Sequence, residues 1–149
     1  MTSPLLRRVR KALVAVADAE RAPQMQAYMK SSMPYHGVPA PVVKRTRRER
    51  CGDYAPADAK AWRDDVLDLW RNAKFREERY AAITLSGHRA ARAFQTLEAL
   101  PMYEEMIVTG AWWDHVDSLA ESRVGGLLLA YPKEMKKTML AWSKCDDLW

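Results

Sequence analysis

The sequence predicts an all-α protein, and three observations carry that expectation. Helix formers (Ala, Leu, Arg, Lys, Glu and Met) dominate, while glycine is scarce at 6 of 149 residues. Val, Ile and Thr are thinly spread, without the alternating runs that strands need. Apolar residues recur at helical spacings that begin after Ser, Asp or Pro, the residues that start helices. The hydrophobic share of 48% marks a globular chain, and 149 residues suffice for one domain with a real core.

Each element follows from its own signals. Ser3 as N-cap and Pro4 at the first position open a helix whose stripe reads Leu5, Val9, Leu13, Val16 and Ala17. Ala22-Pro23 restarts a short helix through Met25, Tyr28 and Met29. The three prolines and one glycine between Met33 and Pro41 predict a rigid loop. A densely basic helix follows over Val42 to Arg50. Pro56 and Asp58 mark the next start, with Trp62, Val66, Leu69 and Trp70 facing inward. After a break at Asn72 to Lys74, Phe75 to His88 reads as helix, with Tyr80, Ile83 and Leu85 inward and Arg76, Glu77, Glu78 and Arg79 outward. Ala90 to Ala99 continues that helix or forms a second piece. Pro101 opens a helix that buries Met102, Tyr103, Met106 and Ile107. A further helix runs from about Ala111 to Ala130, loosened at Gly125-Gly126. Pro132 starts the last full helix, with Met135, Met139, Leu140 and Trp142. Ser143 to Asp147 reads as a cap-rich loop, and Leu148-Trp149 as the opening of another helix. Seven or eight short amphipathic helices in succession suit degenerate helical hairpins of the HEAT type, stacked into a solenoid. A compact irregular bundle is the alternative.

Charge is uneven along the chain. Met1 to Arg50 carries 11 Lys and Arg against 3 Asp and Glu, and the remainder 13 against 16. A basic half suits a polyanion; a solvated helix surface is the other reading. Two cysteines, Cys51 and Cys145, stand far apart and in no CxxC pattern, so neither a disulfide framework nor a zinc site is expected. Neither a metal nor a cofactor is expected, and a reducing, cytoplasmic setting fits. The apolar run Ala12 to Ala17 is too short for a signal peptide core, and Val124 to Tyr131 is far too short for a membrane span. No feature calls for an oligomer.

The run Thr109 to Leu119 holds two adjacent tryptophans and two aspartates three residues apart. On a helix, Trp112, Val116 and Leu119 share one face, suited to a core. Trp113 and Asp117, four apart, share a different face. They place an aromatic plate beside a carboxylate that a core does not need. Asp114 sits where a first-turn charge suits the helix dipole, and His115 is expected at the surface. From the residues alone, a half-buried tryptophan and a solvated aspartate remain the alternative to a site. Tyr28 is balanced between core and site.

Several segments together resemble the AlkD-like family of DNA alkylation repair proteins, HEAT-like-repeat DNA glycosylases. They are Met25 to Lys30, Gly37 to Pro41 before the basic helix, Leu69-Trp70 with Arg76-Glu77, Pro101 to Ile107, Trp112 to Ala120, Gly125, and Trp142-Ser143 through Asp147-Leu148-Trp149. The resemblance spans the chain, and its most specific part is the Trp-Trp-Asp-x-Val-Asp run. It implies a curved α-α solenoid of HEAT-like repeats with a basic concave face, and one such domain over 1–149. It implies excision of N3- and N7-alkylated purines from double-stranded DNA by hydrolysis of the N-glycosidic bond, without a deep base-flipping pocket. Trp113 and Asp117 carry over as the catalytic pair. Tyr28 matches an aromatic near the lesion, and Lys44, Arg45, Arg47 and Arg48 supply backbone contacts. A helix points such a cluster in several directions, so about half are expected to face DNA. Pro39 stands where a polar side chain can occur in the family. Family members also continue past the position of Trp149 with a basic stretch and further helices that bear an arginine and another tryptophan of the active site. The sequence is therefore expected to correspond to a C-terminally truncated domain, its N-terminal two thirds, with activity sensitive to that truncation. The alternatives are a non-catalytic HEAT-like module that binds DNA or protein, and a helix-turn-helix reader built on Val42 to Arg50.

Overall fold

The computed structural model describes residues 3–149, apart from the side chains of Arg47 and Arg50. Those residues form nine α-helices with short 3-10 and π segments, and among them there is no strand. None of these helices is long and apolar enough to cross a membrane. The chain divides after Leu85 into two compact units.

The first unit holds α1 (Pro4–Val14), α2 (Arg21–Tyr28), α3 (Ala40–Cys51), α4 (Ala59–Arg71) and α5 (Arg76–Leu85). Ser3 caps α1 by accepting from the Leu6 N–H at 3.1 Å, with Pro4 in the first turn. The buried line is Leu6, Val9 and Leu13. Leu5 is only half-buried, and Val16 and Ala17 are exposed beyond the helix end at Val14. The expected stripe is therefore one residue off at its start and too long at its end. The chain leaves the helix because the Asp18 carboxylate accepts from the Glu20 and Arg21 N–H groups, an Asx turn that starts α2. On α4, Asp58 accepts from the Ala61 N–H at 2.8 Å, and Trp62, Val66, Leu69 and Trp70 are all buried, as their spacing predicts. Burying four side chains of this size contributes roughly 1.5–3 kcal/mol each. The Trp62 indole donates to the Leu85 carbonyl at 3.1 Å, which ties α4 to the end of α5.

On α5 the structure corrects the sequence. Arg76, Glu77 and Glu78 are buried rather than outward, Tyr80 and Arg79 are half-buried, and the Arg79 guanidinium carbon lies 4.5 Å over the Trp70 ring. The reason is the loop before α3. Its consecutive N–H groups at His36, Gly37 and Val38 converge on Glu77, at 2.9, 3.0 and 3.1 Å. Gly37 has φ +83°, and a Cβ there would fall 2.0 Å from the Asp18 carbonyl oxygen. Only glycine fits this turn, and a carboxylate satisfies three amides that would otherwise be buried without acceptors.

Glu78 forms a second buried node. Arg10 grips it in a fork at 2.8 and 2.9 Å, the Lys74 N–H donates at 2.8 Å, and His36 Nε2 lies at 3.4 Å. His36 also stacks on Phe75, with ring centroids 3.9 Å apart. Burial works to raise the Glu78 pKa, but the hydrogen bonds from Arg10, His36 and the Lys74 N–H outweigh it and hold the carboxyl at about 2. A folded pKa below the ordinary 4.5 means stability that is fully present above 4.5 and is lost as pH falls through about 2. Unfolding titrations between those values are expected to show this loss, and Glu78→Gln is expected to flatten it while lowering stability at neutral pH.

The second unit opens with 3-10 segments at Arg89–Phe94 and Leu97–Ala99, so the stretch from Ala90 to Ala99 forms separate pieces. It continues with α6 (Leu100–Gly110), α7 (Trp113–Leu119), a π turn (Ala120–Val124), α8 (Gly125–Ala130) and α9 (Pro132–Trp142). Met102, Tyr103, Met106 and Ile107 are buried on α6, as predicted. The single helix expected up to Ala130 is interrupted earlier than the glycines, at the π turn. On α9 only Met135 is buried; Met139 and Trp142 are half-buried and Leu140 is exposed. Leu148 and Trp149 are not helical.

Candidate active site

The geometry of the Trp-Trp-Asp run is set where α6 stops. Ala111 adopts a left-handed conformation with φ +38°, and its N–H donates to the Ile107 carbonyl at 2.9 Å. That is a helix C-cap geometry which usually selects glycine. Trp112 is then extended and caps α7, so that Trp113 becomes the first residue of the helix.

From that start the two faces separate. Val116 and Leu119 are buried, and Trp112 is half-buried with its ring 6.3 Å from that of Trp149. Trp113 is 49% exposed, and Asp117, one turn on, is exposed too. Among the described residues, the Asp117 carboxylate makes no hydrogen bond or ion pair. An indole face and an uncompensated negative charge thus lie side by side on the solvent side of α7. Asp114 is a first-turn charge, with Oδ2 4.0 Å from His115 Nε2.

His115 contradicts its expected surface position, because it is completely buried. The physical reason is its register. Residues 112, 115, 116 and 119 follow the spacing of an inward helical stripe, and His115 belongs to it. The spacing was readable in the sequence, but a lone polar residue does not announce burial.

The other candidates lie in the first unit. Tyr28, at the end of α2, is 83% exposed, which excludes a core role. On α3, Val43, Thr46 and Cys51 are buried, whereas Lys44, Arg45 and Arg48 are exposed. Those three follow i, i+3 and i+4 spacing, so they share one side of the helix. Among the described residues they form no ion pair. Arg47 lies outside the residues whose side chains are described.

Comparison with protein families finds that residues 9–149 match the family described as DNA alkylation repair enzyme. Comparison with curated proteins gave no match.

Proposed function

The chain belongs to the DNA alkylation repair enzyme family, and we propose that it is a glycosylase that releases N3- and N7-alkylated purines from double-stranded DNA. The observation that carries this reading is the exposed Trp113 beside the unpaired Asp117 carboxylate. A purine alkylated at N7 carries a positive charge, so it is already a good leaving group. The bond from the sugar C1′ to the base nitrogen breaks with its electron pair passing to the base. The base leaves neutral, and positive charge develops on the sugar. Asp117 stabilises that charge and orients a water, whose oxygen adds to C1′ as its proton passes to the carboxylate or to solvent. The products are the free base and an abasic site. Trp113 packs against the sugar and favours the cation through its ring quadrupole.

Tyr28 lies near the lesion in this reading. Lys44, Arg45 and Arg48, with Arg47, hold phosphates and position the duplex without reading its sequence. The consecutive helix pairs are read as HEAT-like repeats of a curved solenoid with a basic concave face. Support comes from the close packing of α4 with α5 and of α8 with α9. The protein acts in the cytoplasm, associated with the nucleoid through DNA.

The test is incubation with two duplexes that differ only in the lesion, N7-methylguanine or O6-methylguanine. Free base is expected from the first, where the leaving group is cationic, and not from the second. Release from neither, with the duplex bound, would mark a non-catalytic DNA-binding module. Trp113→Ala is expected to slow release about tenfold, within the range of one cation–π contact, and Trp113→Phe to retain most of the rate. Because the side chain is half exposed, thermal melting of both variants should change little.

A further inference from the structure

Within the second unit, one basic stretch has no acidic residue in it. From Ser86 to Trp149 there are 9 Asp and Glu against 7 Lys and Arg, so this half is acidic in sum. Yet no acidic residue occurs from Arg79 to Leu97, and that stretch holds Arg89 and Arg92. Both lie on the 3-10 segment Arg89–Phe94, and both are exposed. In a 3-10 helix residues three apart eclipse, so the two guanidinium groups leave the same edge, separated by about 6 Å of rise. Ala91 is the buried residue of that segment. Among the described residues, neither arginine forms an ion pair.

The turn leading into this edge is built around a third arginine. Arg123, from the π turn, donates through Nε to the Ser86 hydroxyl at 3.0 Å. A Cβ on Gly87 would fall 2.1 Å from the Arg123 guanidinium carbon, so only a glycine lets that group lie against the backbone. The Tyr103 hydroxyl donates to the Ser86 carbonyl at 3.4 Å and pins the same turn from α6. His88 caps the 3-10 segment, with Nδ1 accepting from the Ala90 N–H at 3.2 Å, which places its proton on Nε2. The lysines of α9 differ: the exposed Lys133, Lys136 and Lys137 share their helix with the exposed Glu134, one turn from Lys137, as on a solvated helix.

We propose that the Arg89 and Arg92 edge, with the Ser86–Gly87 turn braced by Arg123, is a phosphate-binding surface for the DNA backbone in the second unit. The proposal rests on the DNA repair reading and adds contacts to those of α3. Two unpaired, eclipsed forks suit successive phosphates of one strand, which present identical anions at regular spacing. Such contacts position the duplex and carry no sequence preference.

The test measures affinity for a duplex by fluorescence anisotropy over a series of salt concentrations. It compares the full chain, R89Q/R92Q and, as a control of equal charge change, K136Q/K137Q. The arginine pair is expected to lower the salt slope by about 1.8, at roughly 0.9 per phosphate contact, and to weaken binding tenfold or more at 0.1 M salt. The lysine pair should keep the slope of the full chain. Gly87→Ala, which displaces the Arg123 guanidinium, should give a smaller loss in the same direction. An arginine pair with an unchanged slope would overturn the proposal while leaving the glycosylase reading intact. Equal losses in both pairs would overturn it too, because net charge alone would then account for binding. A full chain that binds no duplex would overturn the DNA reading itself, and this surface with it.

Discussion

Glu77→Ala is expected to destabilise the chain by roughly 3–5 kcal/mol, the scale of removing one partner from a buried charged network. The carboxylate is fully buried and accepts from three consecutive backbone N–H groups. Removing it leaves those amides without an acceptor in the interior, at about 1–3 kcal/mol each before relaxation. The loop from His36 to Val38 is thereby released from α5, and α3, which the loop leads into, loses its anchor. The melting midpoint should fall by roughly 10 °C or more. Glu77→Gln separates charge from shape. The amide oxygen can still accept from Gly37 and Val38, but its NH2 group then faces the His36 N–H donor. About half the loss is expected for that variant. Glu49→Ala, on the exposed side of α3, should stay within about 0.5 kcal/mol and serves as the control. Denaturant unfolding measures all three, and a Glu77→Ala protein within 1 kcal/mol of the parent would contradict the account of the loop.

Asp117→Asn is expected to slow base release by about 10²–10³-fold, the effect of removing one preorganised electrostatic group from a developing charge. The substitution preserves volume and hydrogen-bonding reach but removes the negative charge. The side chain is exposed and, among the described residues, unpaired, so folding should be unaffected. Duplex affinity should hold or rise slightly, because a carboxylate near phosphates opposes binding. Asp114→Asn provides the contrast. That residue is a first-turn charge beside His115, and its loss should change melting more than catalysis. Single-turnover rates under saturating protein separate the two outcomes.

How far the sequence shows this molecule depends on which physical signal is local. The α4 helix was legible in full, because its cap, its start and its four buried side chains all lie within fourteen residues. On α6 the proline in the first turn and the apolar side chains were legible for the same reason, although no side chain caps that helix. Glu77 and Glu78 were not legible. Acidic residues in the first turn of a helix are ordinarily solvated there, and nothing near them in sequence shows that residues 36–38 bring three amides to meet one of them. The N-terminal stripe erred because its helix stops to let Asp18 form a turn, a competition that periodicity does not weigh. His115 was misplaced by polarity although its spacing pointed inward. Of the candidate site, the shared face of Trp113 and Asp117 was visible in the helical register, whereas Trp112, expected on the core face of the same helix, is extended, precedes α7 and is only half-buried. The left-handed Ala111 that sets this register was not visible, since alanine gives no turn signal.

In the proposed reaction, the carboxylate of Asp117 lowers the barrier to losing an alkylated base from DNA. The measurement that tests it most directly is the rate at which free N7-methylguanine appears from a bound duplex, set against spontaneous depurination of the same duplex. Release well above the spontaneous rate is expected with Asp117 present, and a collapse towards that rate with asparagine in its place. Release that is equal for the two side chains, or no faster than the spontaneous rate while the duplex is saturated with protein, would contradict it.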